Sequence, residues 1–143
     1  MSLAPPEFFL DTAYAVALSV KSDSNHERAV ALSRQVLRLR ARLVTTQAVL
    51  IEIGNALASL RYRKAAIEML SSMARDSTLE VVPVSDDLYQ RALALYCGRH
   101  DKEWGLTDCV SFVVMGDRAL TAALTTDRHF QQAGFQALLR QAG

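Results

Sequence analysis

The chain has 143 residues, of which 50% are hydrophobic and 22% are charged, and this composition is ordinary for a folded domain and excludes a wholly disordered chain. Its 16 lysine and arginine residues against 15 aspartate and glutamate residues give a formal net charge of +1, so only a local patch of charge could attract nucleic acid or a membrane. The length predicts one domain over residues 1–143 that buries a core without disulfides or structural metal.

Short strands alternate with helices along the first half of the chain. The capping-box pattern of Ser24 and Glu27 predicts that a helix begins there, and apolar residues spaced three and four apart predict helices elsewhere. In chain order, the predicted elements are a strand over residues 7–11, a helix over 12–20, the helix from Ser24, a strand over 43–46, and helices over 47–60 and 64–75.

The same alternation continues in the second half. It predicts a strand over residues 80–84, a helix capped by Ser85 that runs to 97, a polar loop over 99–105, a helix over 106–118, a strand over 122–126 and a short last strand within 134–139. This order predicts an α/β sandwich around a central, mostly parallel sheet of four or five strands. The helix from Leu106 is apolar on most sides, so we expect other layers to cover it.

The cysteines and the apolar runs predict a cytoplasmic protein that does not enter a membrane. Cys97 and Cys109 form no CxxC pair, which favours free, buried thiols over a disulfide or a zinc site. Residues 1–6 lack the features of a signal peptide. The longest apolar run, residues 109–115, is interrupted by Ser111 and is much shorter than the ~20 residues that span a bilayer.

Four acidic residues occupy unusual positions in this pattern. Asp11 and Asp127 end predicted strands, Asp108 opens the most apolar helix, and Glu52 lies in a helix among small and apolar neighbours. Each acid alone also has a purely structural explanation: Asp11 and Asp127 could cap helices, Asp108 could stabilise a helix dipole, and Glu52 could be solvated. Because the carboxyl ends of parallel strands meet at one edge of a sheet, we expect the aspartates to converge there, with Glu52 able to join them.

Converging carboxylates predict a site for a hard divalent cation. Three or four of them packed together repel one another, and a bound cation removes that penalty. Mg²⁺ and Mn²⁺ prefer oxygen ligands and can activate water and stabilise charge on a phosphoryl group. No histidine or cysteine stands at a zinc-binding spacing.

Four segments of the chain resemble the motifs of PIN-domain ribonucleases, and most closely those of the VapC-like toxins of type II toxin–antitoxin systems. The segments are FFLDT at residues 8–12, VLIEIGNAL at 49–57, DKEWGLTDCVSF at 101–112 and LTTDRHF at 124–130. They occur in the family's order and on the expected elements, and the resemblance covers essentially the whole chain. It therefore implies a single PIN-like nuclease domain over residues 1–143.

The resemblance implies a metal-dependent endoribonuclease that uses Mg²⁺ or Mn²⁺ to activate water against RNA phosphodiesters. Carried over by position, Asp11, Glu52, Asp108 and Asp127 are the catalytic and metal-binding acids. Thr12, Asn55 and Thr107 match weaker, supporting positions beside them. The family also implies an RNA substrate, a protein antitoxin whose tail lies across the active site, and a homodimer.

Basic residues should flank an acidic site that accepts RNA. The sequence offers Arg34, Arg38, Arg40 and Arg42, then Arg61, Arg63 and Lys64, then Arg99, His100 and Lys102, although a solvated helix face explains most of them as well. Trp104 could stack on a base or anchor its loop in the core. His26, His100 and His129 have no evident partner in the sequence, and we assign none of them as a general base.

Three other functions stay open from the sequence. The same acids would suit an RNA-processing or structure-specific nuclease that is not a toxin, which a change of substrate would distinguish. A non-enzymatic PIN-like interaction domain would be expected to lack part of the acidic set, and all four acids are present. A phospho-accepting signalling domain needs paired acids after its first strand and a late lysine, and no lysine follows Lys102.

Overall fold

Five strands form a single sheet in the computed structural model, which describes residues 4–140. The strands are β1 Glu7–Leu10, β2 Arg42–Thr46, β3 Leu79–Val82, β4 Ala122–Leu124 and β5 Gln136–Ala137. The helices are α1 Thr12–Ser19, α2 His26–Arg38, α3 Gln47–Ala56, α4 Leu60–Arg75, α5 Asp86–Gly98, α6 Leu106–Asp117 and α7 Arg128–Gln132. Within this part of the chain, no helix is both long and apolar enough to cross a membrane.

The sheet is parallel throughout, with the strand order β3-β2-β1-β4-β5. Phe9 on the central strand lies opposite Val44 on one side and Ala123 on the other. The carboxyl ends of β1, β2 and β4 therefore share one edge, which we call the carboxyl edge of the sheet. This confirms the predicted α/β class with a parallel sheet. The sheet was predicted to have four or five strands, and it has five.

The core lies between the sheet and the helices, and α6 is its most buried helix. Six of its residues are buried, namely Cys109, Val110, Ser111, Phe112, Val114 and Met115, as the apolar pattern predicted. The ring of Phe112 packs edge-on against Trp104 and against Phe130, with centroid distances of 5.0 Å in both pairs. This aromatic cluster joins α6 to the loop before it and to α7.

Three local predictions were wrong. The helix expected at Ser24 begins at His26, because Asp23 Oδ1 accepts a bond from the Asn25 N–H at 2.8 Å and holds residues 23–25 in a turn. The helix predicted over residues 47–60 ends at Ala56, and the helix predicted over residues 64–75 begins at Leu60, because the extended backbone of Ser59 separates the two. Cys97 is exposed on α5, whereas Cys109 is buried as expected; both are free.

Candidate active site

The four predicted site acids come from four different elements at the carboxyl edge. Asp11 directly follows β1, and Asp127 follows β4. Asp108 lies in the first turn of α6, and Glu52 lies in the second turn of α3, which begins immediately after β2. Asp11 is only 4% exposed, and the other three are half-buried.

The charge environment of Asp11 shows that three of these acids lie close together. Burial raises the pKa of the Asp11 carboxyl to about 7, with smaller contributions from the negative charges of Asp108 and Glu52. The Thr125 hydroxyl donates to Asp11 Oδ2 at 2.7 Å, and this bond lowers the pKa of Asp11, against the effect of burial. Asp11 is therefore a carboxyl group held in a place that disfavours its charge unless a cation is near.

Asp108 is positioned by the start of its own helix. Its Oδ2 accepts a hydrogen bond from the Gly105 N–H at 3.0 Å. Burial raises the pKa of Asp108, and the charge of Asp127 adds to the rise. The charge of Asp108 therefore acts on Asp11, and the charge of Asp127 acts on Asp108.

Asp127 caps a helix and also lies beside Asp108. Its Oδ1 caps α7 by accepting a bond from the His129 N–H at 2.8 Å. Its own N–H donates to the Thr125 hydroxyl at 3.0 Å, and that hydroxyl in turn donates to Asp11. The cap therefore fixes the carboxylate beside Asp108 instead of removing it from the site.

His129 joins the site, although sequence reasoning found no partner for it. Its Nδ1 lies 3.2 Å from Asp108 Oδ2 and 3.4 Å from Asp127 Oδ1. The signal that could have found it is its place two residues after Asp127, in the first turn of the short helix that Asp127 caps. His26, by contrast, has its Nδ1 2.7 Å from the Ala17 carbonyl oxygen, so it is bound within the helical layer.

The three supporting residues differ in what the structure shows. Thr12 is buried next to Asp11, and its hydroxyl has no hydrogen-bond partner among the described residues. Thr107 is half-buried beside Asp108, and its carbonyl accepts a bond from the Ser111 hydroxyl at 3.1 Å. Asn55 is exposed near the end of α3.

Trp104 is a core anchor, so base stacking by Trp104 was a wrong alternative. It is 6% exposed and its Nε1–H donates to Gln132 Oε1 at 3.0 Å. The guanidinium of Arg99 lies over its ring, 4.8 Å from the centroid. Trp104 fixes the loop before α6 and therefore the Gly105 N–H that orients Asp108.

The donor set fits a hard divalent cation. Asp108, Asp127 and His129 each offer a ligand atom, and these atoms lie within 4.8 Å of one another. Asp11 stands close enough to Asp108 to feel its charge, and the unpartnered Thr12 hydroxyl is buried beside Asp11. A cation would satisfy the carboxylates and reduce their mutual repulsion.

The arrangement defines the class of protein: an α/β domain with a carboxylate cluster at the carboxyl edge of a parallel sheet. The family model of the PIN domain matches residues 8–136. The chain therefore belongs to the PIN domain family. A search of curated protein sequences finds no match to it.

Two solved structures share this fold. One is VapC20 of Mycobacterium tuberculosis, described as a toxin that cleaves the sarcin–ricin loop, which is 24% identical with a TM-score of 0.79 over 90% of this chain and 95% of that one. The other is VapBC2 from Rickettsia felis, bound to a DNA fragment from its promoter, which is 14% identical with a TM-score of 0.63 over 92% of this chain and 96% of that one. At these identities the likeness establishes a common fold.

Proposed function

We propose that this protein is a metal-dependent endoribonuclease and the toxin of a toxin–antitoxin pair. The observation that carries the proposal is the meeting of Asp11, Glu52, Asp108 and Asp127 at one edge of a PIN-domain sheet, with the pKa of the buried Asp11 raised to about 7. Like charges held together in a fold cost free energy that a bound cation offsets, and strongly perturbed pKa values are typical of functional sites. One of the solved structures with this fold is described as a toxin that cleaves the sarcin–ricin loop.

The four acids would hold Mg²⁺ or Mn²⁺, with Thr12, Thr107 and Asn55 supporting them. A divalent cation bound there activates water and offsets charge on a phosphodiester during hydrolysis. The chain's own groups prepare the site: the Gly105 N–H orients Asp108, the His129 N–H orients Asp127, and the Thr125 hydroxyl orients Asp11. These bonds fix three carboxylates before substrate arrives, which reduces the cost of reorganisation during the reaction.

Cleavage of RNA by the purified protein tests the proposal. We expect single-stranded RNA to be cut with added Mg²⁺ or Mn²⁺, leaving 5′-phosphate and 3′-hydroxyl ends, and not to be cut in excess chelator. The Asp11→Asn, Asp108→Asn double variant should be inactive, whereas Asp117→Asn, at the exposed other end of α6, should cleave normally. Cleavage that persists in chelator, or in the double variant, would contradict the assigned site.

Growth of cells that produce the protein separates a toxin from an RNA-processing nuclease. A toxin should arrest growth on induction, and the Asp11→Asn, Asp108→Asn variant should not. A processing enzyme should be tolerated and should cut structured precursors in preference to other RNA.

Two arginines at the carboxyl edge supply the basic surface that RNA needs. Arg28 Nη1 donates to the Leu139 carbonyl at 2.9 Å, and Arg140 Nη1 donates to the Thr126 carbonyl, next to Asp127, at 2.9 Å. Both line a cavity of about 400 Å³ with Thr126, and among residues 4–140 neither has a carboxylate within 4.0 Å.

Three of the basic residues that the sequence offered are less suited to this role. Arg42 begins β2 at the opposite edge of the sheet, and Arg99 and Lys102 are both paired with Asp101.

Removing both arginines should weaken RNA binding. We expect the Arg28→Ala, Arg140→Ala variant to bind labelled RNA about tenfold more weakly and to show a salt dependence that is shallower by about one phosphate contact, a slope change of roughly 0.7 for a single strand. Fluorescence anisotropy measures the affinity and its salt dependence, with the arginines changed in the inactive Asp11→Asn, Asp108→Asn background so that the RNA is not cut. Arg75→Ala, at the exposed end of α4 that leads into β3, is the control for the loss of one positive charge. An effect half as large in that variant, which loses one charge instead of two, would mean that only overall charge matters.

The proposal includes a cytoplasmic location, a homodimer and a protein antitoxin. Exposed apolar side chains on α3 and α4 support a protein partner: Ile51, Ile67 and Leu60 are 64%, 57% and 95% exposed. Ile51 directly precedes Glu52, so a partner on this surface would lie close to the acids. The fold shared with a VapBC complex adds support for an antitoxin.

A further inference from the structure

The imidazole of His129 lies between two of the acids that would bind the cation. Its Nδ1 is 3.2 Å from Asp108 Oδ2 and 3.4 Å from Asp127 Oδ1. Both carboxylate oxygens carry lone pairs, and Nδ1 carries one in the tautomer whose proton is on Nε2. Three such atoms attract one another only if a proton or a cation lies among them.

The spacing of the three atoms suits one coordination sphere. Neighbouring ligands of an octahedral ion with bonds of about 2.1 Å are roughly 3 Å apart, which is close to the two separations from Nδ1. The backbone already directs both carboxylates: the Gly105 N–H binds Asp108 Oδ2 at 3.0 Å, and the His129 N–H binds Asp127 Oδ1 at 2.8 Å. A ligating carboxylate retains lone pairs for such bonds.

A cavity beside His129 is lined by groups that could accept a bond from its second nitrogen. His129 lines a cavity of about 240 Å³ together with the acceptor-bearing side chains of Asp101, Glu103 and Gln132. A histidine that binds a metal through one nitrogen typically donates its other N–H to a carboxylate, carbonyl or water. Phe130, the residue after His129, is fully buried and fixes α7 against the core. The backbone that carries the His129 imidazole is therefore held in place.

We propose that His129 Nδ1 is a ligand of the divalent ion held by Asp108 and Asp127, which gives this site a nitrogen donor and a preference for a first-row transition ion such as Mn²⁺ over Mg²⁺. The inference rests on the proposed function, because it assumes that these acids bind a cation. Imidazole suits transition ions, whereas Mg²⁺ strongly prefers oxygen. The nitrogen would therefore discriminate between two ions that the acids alone accept equally.

Electron paramagnetic resonance of bound Mn²⁺ tests the inference without reference to activity. The wild-type protein should show electron spin-echo modulation from a directly bound ¹⁴N, and a large excess of Mg²⁺ should displace Mn²⁺ poorly. His129→Ala should lose the nitrogen signal and bind Mn²⁺ about tenfold more weakly. His129→Asn, which offers an amide oxygen near the same place, should restore binding without the nitrogen signal and should allow Mg²⁺ to compete.

The controls keep this inference separate from the proposed function. His100→Asn, on the exposed loop before α6, should retain the nitrogen signal and the ion preference. Mn²⁺ bound by the wild-type protein without a nitrogen signal would overturn the role of His129 and leave the carboxylate nuclease intact. Failure of the wild-type protein to bind Mn²⁺ at all would overturn both.

Discussion

Asp11→Asn is expected to lower RNA cleavage by at least about a hundredfold and, in the same variant, to stabilise the metal-free protein at pH 8. The loss of cleavage follows because the acid would hold a cation that lowers the barrier by several kcal/mol. The gain in stability follows because Asp11 is buried, with its pKa raised to about 7 by that burial and by neighbouring acids. At pH 8 the folded protein must keep this group charged in an unfavourable place.

The sign of the pH dependence follows from proton binding. Between pH 4 and 7 the folded state holds the Asp11 proton more tightly than the unfolded state does, because the folded pKa of about 7 lies above the ordinary value of 3.8. This group's contribution to the free energy of unfolding therefore falls as the pH rises through that window. The raised pKa of Asp108 acts in the same direction.

Urea unfolding in chelator measures the effect. The advantage of Asp11→Asn over the wild-type protein in the free energy of unfolding should be larger by about 2–3 kcal/mol at pH 8 than at pH 5, and it should nearly vanish only below about pH 4. Asp117 provides the contrast, since its bond with Arg91 lowers its pKa; Asp117→Asn should not stabilise the protein at pH 8. A wild-type protein that gains stability over Asp11→Asn between pH 5 and 8 would contradict the burial argument.

Phe112→Ala is expected to lower the free energy of unfolding by about 3–5 kcal/mol. Phe112 is 6% exposed and packs against Trp104, Phe130 and Phe135. Its removal leaves a cavity where the loop before α6, α6 itself and α7 meet, and the surrounding rings cannot all move to fill it.

Chemical denaturation of Phe112→Ala beside Tyr96→Ala measures this effect. Tyr96 is also aromatic and helical but is 50% exposed, so its change should cost less than about 1 kcal/mol. Phe112→Ala should also weaken metal binding, because Trp104 and Phe130 fix the segments that carry Asp108 and His129. Equal losses in the two variants would mean that the aromatic cluster does not organise the site.

The sequence predicted the alternation of strands and helices well, because local patterns decide it. The apolar strand before Asp11, the cap at Ser85 and the apolar helix from Leu106 depend on neighbours in the chain, and each was found where predicted. The start of α2 was misplaced because a turn closed by Asp23 competed with the Ser24 capping box. The break between α3 and α4 was predicted after residue 60 but lies over residues 57–59, because the apolar spacing continues through residues 57–60 while the helical backbone does not.

The site was predictable to the extent that strand ends locate it. Asp11, Asp108 and Asp127 could be placed together because the ends of parallel strands and the starts of the helices that follow share an edge, and the family resemblance supported Glu52 as the fourth acid. The roles of His129 and of Arg28 depend on contacts across the fold: Arg28 binds the carbonyl of Leu139, 111 residues away in the chain. Sequence spacing carries no information about such pairs, so the contacts of His129 and Arg28 could not be predicted from the sequence.

The Thr125 hydroxyl has a fixed direction, since it accepts a bond from the Asp127 N–H and donates to Asp11 Oδ2. Valine has the same shape as threonine but would break both bonds, and serine would keep both. One oxygen atom just after β4 therefore constrains two acids at once, so natural variation at this position should be confined to hydroxyl residues. A mutational path to a different acidic geometry would have to alter Thr125, Asp11 and Asp127 together, which makes this corner of the site resistant to stepwise change.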